Sequence, residues 1–136
     1  MLLAALGMAA DLDFLLGAHR TYTHTLGACV LILLASMAIA PPSEPRLLTG
    51  AACGAAYTSH LLLDWLGSDT SVPIGIMALW PFSSQFYESP IHLFLSTERR
   101  YWMPHFWSVN LTAGIRELSI LIPLAAMAYW IRRRKA

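Results

Sequence analysis

Apolar residues come in long runs in this chain, and polar residues gather in short clusters between the runs. The first run, residues 1–10, reads as a short helix. At ~1.5 Å per residue it reaches only about half-way across a ~30 Å hydrocarbon core. No basic region precedes it, so a standard signal peptide fits poorly. The second run, "TLGACVLILLASMAIA" at residues 25–40, is stopped by Pro41 and Pro42, because proline has no backbone donor and cannot continue a helix. The third, residues 47–66, is rich in Gly, Ala, Ser and Thr in its first half, and such small residues let membrane helices pack closely. The fourth, residues 110–131, contains Pro123 as a predicted kink and ends in a basic tail.

Residues 67–109 break this pattern with Pro73, Pro81, Pro90 and Pro104 and many aromatics. Trp80, Phe82, Phe86, Tyr87, Tyr101, Trp102, Phe106 and Trp107 suit headgroup depth. They read as membrane anchors, or alternatively as the wall of a binding site. The predicted architecture is therefore all-α, an integral membrane helical bundle in a single domain over residues 1–136. It has three full spans, a short N-terminal helix and an irregular interfacial loop before the last span.

Composition points the same way. Of the 136 residues, 57% are hydrophobic and 12% charged, against about 45–50% and 25% in soluble domains. The formal net charge of +1 offers no footprint for nucleic acid. Cys29 and Cys53 both fall inside apolar runs, which predicts packing residues and no disulfide. The tail Arg132-Arg133-Arg134-Lys135 predicts a cytoplasmic C-terminus. Counting back through three spans puts Arg46 on the same side, and leaves residues 11–24, the His60–Asp64 end and the aromatic loop together on the outer side.

That outer side collects the chemistry. "ADLDFLLGAHRTYTHT" holds Asp11, Asp13, His19, Arg20 and His24. His60 and Asp64, spaced i, i+4, share one helix face. An ionisable side chain in lipid is costly and marks a function and a partner. His and Asp together suit Zn²⁺ first, with Mn²⁺ or Fe as alternatives. Each residue also has a plainer reading. Asp11 or Asp13 could merely end a helix, His19 could be a loop residue, and His24 could bond a neighbouring helix. His60 and Asp64 could bond each other. Arg20 is an interfacial snorkel or a phosphate clamp. Asp69 is a turn residue beside Gly67 and Ser68, or a ligand or general base. Arg116 and Glu117 satisfy each other, or Glu117 joins the site.

Two blocks carry a resemblance. "DLDFLLGAHRTYTHT" resembles the D-x-D…HR-x-x-TH signature of the YdjM-like inner-membrane metal-dependent hydrolase family. "SHLLLDWLGSDTSVPIGIMALWPFS" is similar to that family's second signature, SH-x-x-x-D followed by a Gly-containing turn and L-W-P-F-S. Phe14 stands where many members carry His. The resemblance implies a multi-pass protein of the bacterial inner (plasma) membrane with a metal site built from Asp11, Asp13, His19, His24, His60 and Asp64.

The expected function is a membrane-bound metal-dependent hydrolase acting on a phosphoester, lipid-linked because of the site's location, with membrane lipids as surroundings. Asp69 is the expected proton acceptor and Arg20 the expected anion contact. Two rival readings are a non-catalytic metal-binding membrane protein and a structural membrane subunit.

Overall fold

A computed structural model describes residues 1–136 except Ala18, Ser71 and Ala136, and except the side chains of Leu16 and Lys135. The elements are α1 (Leu2–Met8), a 3₁₀ segment (Ala9–Leu16), α2 (Leu26–Ile39), α3 (Arg46–Leu66) and α4 (Phe106–Lys135). All are helical; the four apolar runs predicted α1 to α4, while the 3₁₀ segment falls largely on the stretch read as polar. Thr25 starts α2, its hydroxyl accepting from Ala28 N at 2.9 Å. Such a cap satisfies a backbone donor that the first turn leaves unpaired.

The expectation of three full spans does not hold. Among the described residues only one helix, over Phe106–Arg134, is long and apolar enough to cross a membrane. α2 has 14 residues, about 21 Å of helix, which is short of a ~30 Å core. α3 has the length at 21 residues. However, Arg46, Thr49, Thr58, Ser59, His60 and Asp64 dilute its apolar character. The outward count through three spans, which put Arg46 on the cytoplasmic side, falls with it.

α2 and α3 pair closely. Gly50 and Gly54 are both buried in α3. A methyl group on Gly50 would lie 2.2 Å from Met37 Cγ and 2.8 Å from the Leu33 carbonyl oxygen, and one on Gly54 would lie 3.0 Å from Leu33 Cβ. The small residues thus bring two helix backbones together, as they do at membrane helix interfaces. α1 rests on α3 with Gly7 facing the Ala56 carbonyl. A small core of Ala10, Cys29, Tyr57, Leu61 and Ile76 joins these helices to the long loop. Cys29 and Cys53 are buried and free.

The loop of residues 67–105 is pinned to the helix ends by its backbone. Ser68 N donates to Phe94 O at 2.9 Å, Leu93 N to Leu66 O at 2.9 Å, and Ser89 N to Trp65 O at 3.1 Å. Leu26 N donates to Ala78 O at 2.9 Å, and Met77 N to Arg20 O at 3.1 Å. Ile76 and Tyr87 form an antiparallel bridge. Gly75 sits beside it at φ +90°, where a Cβ would lie 2.4 Å from Tyr87 O, so no other residue fits without displacing the bridge.

α4 meets this loop rather than the other helices. Arg116 donates to Leu93 O at 2.7 Å and to His92 O at 3.1 Å. Asn110 clasps the Glu98 backbone, accepting from its N–H at 3.1 Å and donating to its carbonyl at 2.9 Å. Beyond Glu117 the helix exposes Leu118, Ile122, Leu124, Met127, Tyr129 and Trp130. Arg133 lies over the Tyr129 ring and Arg134 over the Trp130 ring, 5.0 and 3.5 Å from the centroids. Aromatic rings capped by arginines form the kind of belt that marks a bilayer–water boundary.

Candidate metal centre

The site forms where three pieces of chain meet: the 3₁₀ segment, the turn before α2, and the last two turns of α3. All six sequence-predicted ligands arrive there, in two tiers. Asp11, His24, His60 and Asp64 offer ligand atoms that all lie within 4.8 Å of one another. His24 Nε2 is 3.1 Å from Asp64 Oδ2 and 3.8 Å from Asp11 Oδ1. His60 Nε2 is 3.3 Å from Asp11 Oδ1 and 3.6 Å from Asp64 Oδ2. Four N/O ligands at about 2.1 Å in a tetrahedron would stand roughly 3.4 Å apart, so these spacings fit one divalent ion.

The hydrogen bonding supports the same fit. Among the described residues His24 Nε2, His60 Nε2 and Asp64 Oδ2 are buried without a hydrogen-bond partner. The close approach of His24 Nε2 to Asp64 Oδ2 lacks hydrogen-bond direction. Buried polar atoms are nearly always paired, and three orphans converging on one point are what a cation would satisfy.

Asp13 and His19 make the second tier. The Asp13 side chain is buried, and it accepts from Thr23 Oγ1 at 2.8 Å on Oδ2. His19 Nδ1 lies 3.0 Å from Asp13 Oδ1, and His24 Nδ1 lies 3.1 Å from Asp13 Oδ2. His24 thus spans the two tiers, one ring nitrogen in each. Burial pushes the Asp13 carboxyl up, but bonds to His19 and Thr23 and the nearby imidazoles outweigh it, and the group ends below the usual carboxylate range. Asp64 follows the same balance, its burial outweighed by His24, His60 and Arg20. Phe14 stacks on His19 with ring centroids 3.8 Å apart.

The expected catalytic pair stands beside the ligands rather than among them. Arg20 and Asp69 form a half-buried ion pair, and Asp69 Oδ2 also accepts from Gly75 N at 3.3 Å. Arg20 is held at φ +62°, a left-handed conformation costing roughly 1–2 kcal/mol for a residue with a side chain. The bond from Met77 N to the Arg20 carbonyl and the ion pair with Asp69 fix it there. Both residues line a cavity of about 490 Å³ that also touches Asp64, Glu98, Arg100 and Glu117. Arg116 is spent on loop carbonyls, so the expected Arg116–Glu117 pairing gives way and Glu117 faces the cavity.

Thr23 and Tyr57 were not foreseen. The Tyr57 hydroxyl donates to the Thr23 carbonyl at 2.7 Å and thereby ties α3 to the turn that carries His24. Burial pushes the Tyr57 phenol up to about 12, so it stays a donor. The signal was present in the sequence, because Tyr57, His60 and Asp64 lie three and four residues apart, on one helix face.

A profile of the YdjM inner membrane protein matches residues 1–136. The chain belongs to the YdjM inner membrane protein family. Neither the curated proteins nor the solved structures contain a match to the chain. Membership of the YdjM family fits the exposed apolar surface of α4, the one helix among the described residues long and apolar enough to span a bilayer.

Proposed function

We propose that this YdjM-family protein is a metal-dependent phosphoester hydrolase whose site faces the lipid headgroup region. One observation carries the reading. Four His and Asp ligand atoms converge at metal spacing, three of them buried and unpartnered, next to a cavity that holds a fixed arginine.

Asp11, His24, His60 and Asp64 would hold the ion, with Zn²⁺ the best match for four N/O ligands at these spacings. The ion would supply Lewis-acid polarisation of the phosphoester and acidify the attacking water. Arg20 receives the phosphoryl oxygens. Its Nε is a buried donor without an acceptor among the described residues, and guanidinium groups suit phosphate geometry. Asp69 orients Arg20 instead of acting as the base, since its carboxylate is already committed to the guanidinium. Glu98 is likewise committed, to Arg100. Glu117 is the remaining carboxylate on the cavity wall outside the ligand group, and it takes the proton from the water.

Depth favours a lipid-linked substrate. From Glu117 to the Trp130 belt the helix rises about 20 Å. In a ~30 Å core that leaves the site within about 10 Å of the opposite face. The basic residues after Trp130 favour a cytoplasmic C-terminus, which turns the site outward.

The test is metal analysis of detergent-purified protein alongside hydrolysis of membrane phosphoesters with and without chelator. Wild type should bind one Zn²⁺ per chain and lose hydrolysis on chelation. A His60→Ala/Asp64→Ala variant should bind none, and Glu117→Gln should keep the metal while losing about 100-fold or more in rate. Wild type that stays metal-free after exposure to Zn²⁺ and Mn²⁺ overturns the reading. Bound metal with no hydrolysis of any phosphoester leaves a binding protein rather than an enzyme.

A further inference from the structure

Asp13, His19 and His24 also stand at ligand spacing, and so resemble a second metal site. The hydrogen bonds argue otherwise. Thr23 has one hydroxyl proton, and it goes to Asp13 Oδ2 at 2.8 Å. His24 Nδ1 faces that same Oδ2 at 3.1 Å and Thr23 Oγ1 at 3.1 Å. With its proton given away, the hydroxyl oxygen is an acceptor there, and a carboxylate only accepts. Both neighbours of Nδ1 are therefore acceptors, and Nδ1 must carry a proton.

A neutral imidazole protonated at Nδ1 presents a bare lone pair at Nε2. That atom is the one buried without a partner between Asp11, His60 and Asp64. The His24 side chain is 0% exposed, so water cannot substitute for these contacts. Asp13 meanwhile receives Thr23 and His24 on one oxygen and His19 on the other. A carboxylate so engaged has no oxygen free for an ion unless this network breaks.

We propose that Asp13 is a positioning residue, not a ligand, and that it fixes the His24 tautomer so that Nε2 faces the ion. Thr23 and His19 hold Asp13 in turn. The arrangement is the carboxylate–histidine–metal relay, in which the outer carboxylate orients the ring and raises its basicity. The assignment rests on the metal-site reading above. It reduces the six candidate ligands to four and the number of ions to one.

The experiment uses the full chain in detergent, with Zn²⁺ alone as probe. Zn²⁺ is titrated into wild type and Asp13→Asn, with circular dichroism to confirm that both are helical. The substituted amide still offers an acceptor oxygen but carries no charge. The expected result is one Zn²⁺ per chain in both proteins, with affinity about 10–100-fold weaker in the variant. A second measurement needs no variant. In Zn²⁺-loaded wild type labelled with ¹⁵N-histidine, His24 should show a protonated Nδ1 and a metallated Nε2. Two ions in wild type falling to one in Asp13→Asn, unchanged affinity, or a metallated His24 Nδ1 each overturns the assignment while leaving a metal site in place. A wild type that binds no Zn²⁺ overturns the metal site and this assignment together.

Discussion

The close pairing of α2 and α3 can be tested at a single atom. Gly50→Ala places a methyl group 2.2 Å from Met37 Cγ and 2.8 Å from the Leu33 carbonyl oxygen. The Met37 side chain can turn aside, but Leu33 O belongs to the α2 backbone, so the helix itself must move. Overpacking of this kind costs about 1–3 kcal/mol. It is partly offset, because Ala favours a helix over Gly by about 1 kcal/mol. The net expectation is a loss of up to about 2 kcal/mol.

Gly114 in α4 serves as the control, since a methyl group there meets nothing within 4 Å. Gly114→Ala gains the same helix propensity without the clash and should be neutral to stabilising. The difference between the two variants therefore isolates the packing contribution, at roughly 1–3 kcal/mol. Thermal unfolding followed by circular dichroism in one detergent gives both values. Gly50→Ala should also weaken Zn²⁺ binding, because α2 begins two residues after His24 and α3 carries His60 and Asp64. A Gly50→Ala protein as stable as Gly114→Ala would refute the close contact between the α2 and α3 backbones.

Two further outcomes follow from the loop. Gly75→Ala forces a side chain into φ +90° and to within 2.4 Å of Tyr87 O. Backbone strain alone should cost about 1–3 kcal/mol, and proteolysis within residues 67–105 should speed up while α2 and α3 stay helical. Glu98 tests its ion pair with Arg100 inside the loop. The Arg100 side chain and backbone, with His105, hold its carboxyl at about 2, against 4.5 unperturbed. A carboxyl depressed on folding stabilises the fold above its unfolded value and loses that contribution as pH falls from near 4.5 through about 2. Carboxyl NMR should therefore find the Glu98 midpoint near 2, with Arg100→Ala moving it back up. A midpoint near 4.5 in the wild type would show that the pair does not form.

The residues of the candidate site were legible in the sequence because their chemistry is expensive in an apolar setting. Asp11, Asp13, His19, His24, His60 and Asp64 stood out against runs of Leu, Ala and Ile, and the i, i+4 spacing of His60 and Asp64 fixed their shared face. The helices were legible too, from the apolar runs and their proline stops. Which runs cross a membrane was not. A run of apolar letters reports composition, whereas spanning needs length and polarity together. α2 lacks the length, and α3 carries the site's own polar residues.

By itself, then, the sequence determined which atoms are available for chemistry and which segments coil into helices, because both follow from residue type and local spacing. Only the tertiary structure divided the six candidate ligands into an inner four and an outer pair. That division depends on which nitrogen of His24 meets Asp13 and which meets Asp64, and no spacing along the chain encodes it. The same holds for Asp69. As a residue after a turn, nothing in its sequence context barred it from acting as a base. The loop folds it onto Arg20 in an ion pair, and in the proposed function that pair makes it a support. The physical reason is the same in both cases. A carboxylate's role is set by the donors that surround it, and here those donors come from segments far apart in the chain.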